Sequence, residues 1–126
     1  EDFRVLLQRA VRFSPAAVAW FGLQMVAALQ CMHTLGLLHR DVKPGNFTVG
    51  RRPEDSAKVF VIDFGLCRRH LEVDGRPRPS REQTPFRGTT HYASVRAQEG
   101  YDSGRVDDLW SLSFSLLELC SGGLPW

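Results

Sequence analysis

The sequence predicts a mainly α-helical fold with a few short β-strands. Three observations lead there: a long amphipathic run over residues 15–35, an apolar run over 106–120 that surrounds the helical wheel, and three apolar runs between them that are each too short for a helix. Ser14-Pro15 opens the first helix, with a hydroxyl able to cap and a proline at the first helical position. Val18, Phe21, Met25, Ala28, Leu29 and Met32 then recur close to the 3.6-residue period, and Gly36 stands where a helix ends on a left-handed residue. The runs Leu37–His39, Phe47–Val49 and Val59–Ile62 read as strands, the last of them buried, punctuated by Pro44-Gly45 and the polar stretch Gly50–Ser56. From Cys67 to Gln83 the chain is polar, charged and proline-containing without periodicity, which predicts a long loop. The closing run, from Val106 through Leu109, Trp110, Leu112, Leu116 and Leu117 to Cys120, leaves no polar stripe, and a helix apolar on all sides is normally buried. Covering it needs more protein than this chain supplies, so the isolated chain is expected to expose apolar surface and melt broadly.

The 126 residues are room for one small domain, and 43% hydrophobic with 24% charged residues are globular values that argue against wholesale disorder. No uncharged apolar stretch of membrane-spanning length is expected, and no signal-peptide pattern follows Glu1. The expectation is a soluble chain of the cytoplasm and/or nucleus, without a membrane partner. Cys31, Cys67 and Cys120 are odd in number and widely spaced, and the four histidines show no ligand spacing, so neither a disulfide framework nor a zinc site is suggested. Net charge is +2, yet six arginines lie between Arg68 and Arg87 against Glu72, Asp74 and Glu82. Such a segment is either a solvated loop or a surface for phosphate or acidic peptide. It lacks the overall basicity and interleaved aromatics of a nucleic-acid binder, so no nucleic-acid partner is expected.

His39-Arg40-Asp41-Val42-Lys43-Pro44-Gly45-Asn46 gathers polar groups in one strand-flanked loop, and seventeen residues after Asn46 an apolar strand delivers Asp63-Phe64-Gly65. Asp63 and Asn46 offer hard oxygen ligands suited to magnesium, which usually shares its shell with substrate phosphates. Asp41 is then placed to orient a hydroxyl, and Lys43 to neutralise charge on a phosphoryl group in transit. Each piece has a bland reading: a turn after a strand for Asp63-Phe64-Gly65, a surface lysine for Lys43. Together, in this order, they match the protein-kinase signature set.

The segments HRDVKPGNF (39–47), VIDFGLCR (61–68), FRGTTHYAS (86–94), GRVDDLWSL (104–112) and LPW (124–126) carry a wider likeness. The chain resembles the C-terminal lobe of a eukaryotic protein kinase of the casein kinase I group, in which Tyr92-Ala93-Ser94 stands where most kinases have Ala-Pro-Glu. Asp107-Asp108-Leu109-Trp110 points to the tau-tubulin kinase branch. The resemblance implies a partial protein-kinase fold over residues 1–126. It also implies a serine/threonine protein kinase that uses ATP and Mg2+ to phosphorylate protein substrates, acidic or pre-phosphorylated ones included. By position, it makes Asp41 the catalytic base and Lys43 the phosphate-contacting lysine, with Asn46 and Asp63 as magnesium ligands and Thr89 bonded to the catalytic loop. Thr48 falls where an apolar side chain normally floors the adenine ring. His39 and Phe64 would stack together, and Asp108 would tie the last helix to the catalytic-loop backbone, although an aspartate at a helix N-terminus is also favoured by the dipole. Arg40, elsewhere the receiver of an activation-loop phosphate, would not need one here, while Arg68, Arg69 and Arg87 could form a basic pocket.

Some positions depart from the family. Arg96 stands where most kinases have the glutamate of Ala-Pro-Glu. Cys67 replaces the usual alanine and puts a thiol near the nucleotide site. Ser80 and Thr84 are candidate phosphorylation sites without a strong motif. The Gly-rich loop, the strand lysine and the helix glutamate of the N-terminal lobe are not in these residues, nor are the last helices of the C-terminal lobe. The chain is therefore expected to be a fragment, inactive alone. The alternatives are a truncated, kinase-like binding or decoy module and, further off, a small-molecule phosphotransferase of the aminoglycoside-kinase type.

Overall fold

The computed structural model describes residues 1–10 and 12–126, and opens on a short helix, α1 (Phe3–Ala10), that the apolar pattern did not single out. Asp2 starts it, its Oδ1 accepting the Val5 N–H at 3.0 Å, and the helix turns Phe3 fully into the core. Next comes α2 (Pro15–Thr34), begun as expected: the Ser14 hydroxyl accepts the Ala17 N–H at 3.2 Å and Pro15 takes the first position. It ends at Gly36, whose φ of +76° is the left-handed cap conformation glycine adopts without strain.

Two small antiparallel ribbons follow. The first pairs β1 (Leu37–Leu38) with β4 (Arg68–Arg69), Leu38 opposite Arg68; the second pairs β2 (Phe47–Val49) with β3 (Val59–Val61), Phe47 opposite Val61. Short 3-10 turns stand at Pro44–Asn46, Pro53–Asp55 and Thr90–Tyr92. A four-residue helix, α3 (Val95–Gln98), precedes α4 (Arg105–Ser121). The core is Phe3, Met25, Leu29, Met32, Val42, Phe47, Leu112 and Leu119, where α2 packs on α4 on one side and on β3 on the other. Fully burying each such side chain contributes about 1.5–3 kcal/mol. Phe21 meets Phe3 edge-on at 4.8 Å and Phe13 at 5.9 Å, and the Phe13 N–H donates to the Leu119 carbonyl at 2.8 Å, joining the entry to α2 with the end of α4.

Three expectations are corrected. First, α2 holds 20 residues without Asp, Glu, Lys or Arg and reaches a mean hydropathy of 1.3, so one helix is long and apolar enough to cross a membrane by length and composition. A core helix has the same composition, and here Gly22, Met25, Leu29 and Met32 are buried within the fold. Second, the run 59–62 is not a buried strand: Phe60 and Ile62 are exposed, because a two-stranded ribbon has only one face to hide. Third, residues 67–83 are not simply a loop. They contain β4 and a tight reversal in which Leu71 bridges Pro77 across Gly75. As expected of this chain by itself, α4 is not covered all round: Val106, Leu109, Trp110 and Leu117 remain exposed, as do Trp20 and Leu23 on α2.

Candidate active site

Asp108, on the first turn of α4 and 2% exposed, fixes the backbone that carries the site. Its Oδ2 accepts the His39 N–H at 2.9 Å and its Oδ1 the Arg40 N–H at 2.8 Å; His33 Nε2 lies 2.9 Å from Oδ2. This clamp holds Arg40 at φ +66°, a conformation costly for a residue with a Cβ and maintained by its surroundings. The opposing segment comes equally close: a Cβ on Gly88 would stand 2.6 Å from the Arg40 carbonyl oxygen, so only glycine fits.

The predicted cluster forms around Asp41. Thr89 Oγ1 donates to Asp41 Oδ1 at 2.7 Å, and Lys43 Nζ donates to Asp41 Oδ2 at 2.7 Å and to Thr89 Oγ1 at 2.9 Å. Asn46 Nδ2 donates to the Asp41 carbonyl at 2.7 Å and to Oδ2 at 3.1 Å. Burial alone would push the Asp41 carboxyl up, but the Lys43, Thr89 and Asn46 hydrogen bonds and the Lys43 charge more than offset it and hold the group below the usual carboxylate range. The carboxylate is therefore ionised at neutral pH, fixed in orientation, and flanked by a cation.

Asp63 follows the end of β3, where the Ile62 N–H donates to the Asn46 carbonyl at 2.9 Å and so keeps the two segments together. It is exposed, adopts φ +61°, and its Oδ1 accepts the Gly65 N–H at 3.2 Å. Asn46 Oδ1 has no hydrogen-bond donor among the described residues. Asn46 and Asp63 thus present hard oxygen donors, few in number, which suits a cation that takes the rest of its shell from phosphates and water. His39 and Phe64 meet at 6.0 Å with rings tilted by 49°, Phe64 still half exposed. Thr48 is not drawn into the Asp41 network; its hydroxyl donates to the Glu1 carbonyl at 2.8 Å. Burial, helped by the Asp108 carboxylate, pushes the Cys67 thiol up, which makes it a weak nucleophile.

Beside Lys43 and Thr89 a cleft of about 470 Å³ opens between Arg4, Leu7, Gly45, His91 and Tyr92. Tyr92 Oη donates to Glu118 at 2.6 Å, and burial together with that carboxylate keeps the phenol protonated. Ser94 caps α3, accepting the Ala97 N–H at 3.1 Å, and donates to Asp107, which in turn accepts the Gly104 N–H at 2.7 Å. Arg96 stacks over the Tyr101 ring at 5.0 Å instead of entering a buried ion pair. Sequence reasoning missed Asp102, which binds Arg68 and Arg81. A single acid in Tyr-Asp-Ser-Gly gives no pattern that would reveal it.

The protein kinase domain family matches residues 1–126, and the chain belongs to that family. It is 48% identical over 115 residues to a protein of Dictyostelium discoideum named as a probable serine/threonine-protein kinase, covering 91% of this chain. It is 42% identical over 102 residues, 78% of the chain, to a Caenorhabditis elegans protein named with similar reserve as a serine/threonine-protein kinase. It is 41% identical over 112 residues, 86% of the chain, to a casein kinase 1-like protein of rice, Oryza sativa subsp. japonica. The chain spans 23%, 30% and 16% of the lengths of these three relatives, in that order.

Proposed function

We propose that this chain carries the phosphate-transfer machinery of a serine/threonine protein kinase of the casein kinase I group, tau-tubulin branch. It would move the ATP γ-phosphate to a serine or threonine hydroxyl of a protein. The observation that carries this reading is the Asp41 carboxylate, ionised and held at both oxygens by Thr89, Lys43 and Asn46. Such a group accepts the hydrogen bond of an incoming hydroxyl and aims its oxygen in line with the phosphorus. Lys43, 2.7 Å from that carboxylate, neutralises charge on the group in transit, and Thr89 fixes both. Asn46 and Asp63 would hold Mg2+, which when bound would neutralise phosphate charge. Thr48, through its methyl, would pack under the adenine.

Acidic or pre-phosphorylated substrates are supported by Arg69 and Arg87, exposed and without an acidic partner among the described residues. Arg68 leaves that group, being taken by Asp102. Three cysteines, unbridged among the described residues, favour the cytoplasm and/or nucleus.

The test is phosphate transfer from ATP to serine and threonine peptides by the purified native protein, with Asp41→Asn and Asp63→Asn beside it. Each substitution is expected to lower kcat by about 10²–10⁴-fold with an unchanged circular-dichroism spectrum. A wild-type protein that transfers nothing would instead mark a binding module, and an Asp41→Asn protein as active as wild type would remove Asp41 from the role of base.

A further inference from the structure

One carboxylate joins two distant segments in the arginine-rich region. Asp102 lies between α3 and α4 with its side chain 9% exposed. It accepts Arg68 Nη1 at both oxygens, 2.6 and 2.8 Å, and from Arg81 it accepts Nη2 at 2.9 Å, the backbone N–H at 3.2 Å and Nε at 3.4 Å. Arg68 sits opposite Leu38, which leads directly into His39-Arg40-Asp41. Arg81 opens the segment that arrives at Gly88 and Thr89. The same segment is tied to the same loop a second time, the Thr84 N–H donating to the Gly100 carbonyl at 3.0 Å.

The surroundings are cationic beyond what Asp102 offsets. Burial, and then the charges of Arg68, Arg81 and Arg87, pull the Arg40 guanidinium below its ordinary value, with Asp102 acting the other way. A cleft of about 130 Å³ lies among Arg40, Arg81, Thr84, Arg87, Tyr101 and Asp102. Two guanidiniums converging on both oxygens of one acid is the geometry they use for any small oxyanion, carboxylate or phosphate alike.

We propose that Asp102 is a positioning residue that fills an oxyanion site built by Arg68 and Arg81, and so sets the 81–89 segment where Thr89 meets Asp41. Its effect on rate rests on the phosphate-transfer reading; the site itself does not. Removing the carboxylate leaves two facing guanidiniums that repel each other, loosens the segment, and opens a vacancy that inorganic phosphate fits.

The experiment is chymotrypsin cleavage after Phe86 in the native protein, with inorganic phosphate or with sodium chloride at matched ionic strength. Asp102→Ala is expected to be cut about tenfold faster than wild type, since the segment then opens locally. Phosphate, and not chloride, should return it toward the wild-type rate, and calorimetric titration should detect phosphate binding to Asp102→Ala and not to wild type. Asp102→Glu should keep most of the protection. Cleavage unchanged in Asp102→Ala, or chloride protecting as well as phosphate, overturns the proposal. Should Asp102→Ala not fold, Arg81→Gln, which leaves the Arg68 pair intact, must by itself speed cleavage, and a variant as resistant as wild type overturns it. None of these readouts needs ATP, so a protein that protects Phe86 and transfers no phosphate refutes the kinase reading while leaving Asp102 in its role.

Discussion

Asp108 and Asp102 both hold together pieces of chain far apart in sequence, and they do so with different chemistry. Asp108 accepts two backbone N–H groups of the loop that carries Asp41, at 2.8 and 2.9 Å, besides lying 2.9 Å from His33, and is 2% exposed. Asp102 accepts two arginines, Arg68 through Nη1 and Arg81 through Nη2 and Nε, the latter with a side chain 47% exposed. Backbone N–H groups cannot turn away to water without unmaking the loop, so the first clamp is structural and insensitive to salt. Guanidiniums on long side chains can leave, so the second clamp responds to salt, pH and competing anions. The loop that carries Asp41 is thus set rigidly, while the segment that brings Thr89 to it hangs on a weaker, chargeable tie.

The largest effect should come from breaking the rigid clamp. Asp108→Ala strands the His39 and Arg40 N–H groups and leaves His33 without its acid, and is expected to cost about 3–5 kcal/mol in denaturant unfolding. Asp102→Ala should cost about 2 kcal/mol at low salt, and the difference from wild type should shrink as sodium chloride is added. An Asp108→Ala loss that also shrinks with salt would erase the contrast between the two.

Acid sharpens the same comparison. Burial would raise the Asp102 carboxyl above its ordinary 3.8, yet the Arg81 and Arg68 hydrogen bonds and the Arg68 charge hold it far below that value; the Asp41 carboxyl is lowered too. A group whose folded pKa is depressed contributes stability that is present above the unfolded value and is lost as pH falls through the folded one. The stability of the wild type should therefore decline below about pH 4, and Asp102→Asn should flatten that decline; equal acid slopes in the two proteins would count against the pairing. The smallest effect belongs to the hairpin tip, where Arg76 and Asp74 pair at 2.8 Å with side chains 83% and 49% exposed. Asp74→Ala should leave the melting midpoint unchanged within error.

Much of the site could be read in the chain because its chemistry is local. Asp41, Lys43 and Asn46 lie within six residues, and the turn at Pro44–Asn46 brings them near one another. The start of α2 was legible for the same reason, Ser14 and Pro15 acting on their immediate neighbours. The apolar pattern of α4 showed a helix, and the small size of the chain its incomplete cover, but not which faces stay bare, since spacing describes which faces are apolar and not which of them another element covers. For Thr48 the fold adds what its place in the motif does not contain, a bond from its hydroxyl to the Glu1 carbonyl that leaves the methyl for packing. The helix α1 had a usable signal in Asp2 followed by Phe3, Leu6 and Leu7, too short to stand out by periodicity.

The order of residues is enough to define the family, the two long helices with the caps of α2, and the identity of the groups around Asp41. The tertiary structure alone decided that His33 would find Asp108 across 75 residues, that Arg68 would find Asp102 across 34, and that Gly88 would press against Arg40. A cap or a turn is a contact between neighbours and is written in their order. An ion pair between distant segments forms only after helices and strands have packed, and many acids and arginines along the chain are equivalent until packing selects two of them.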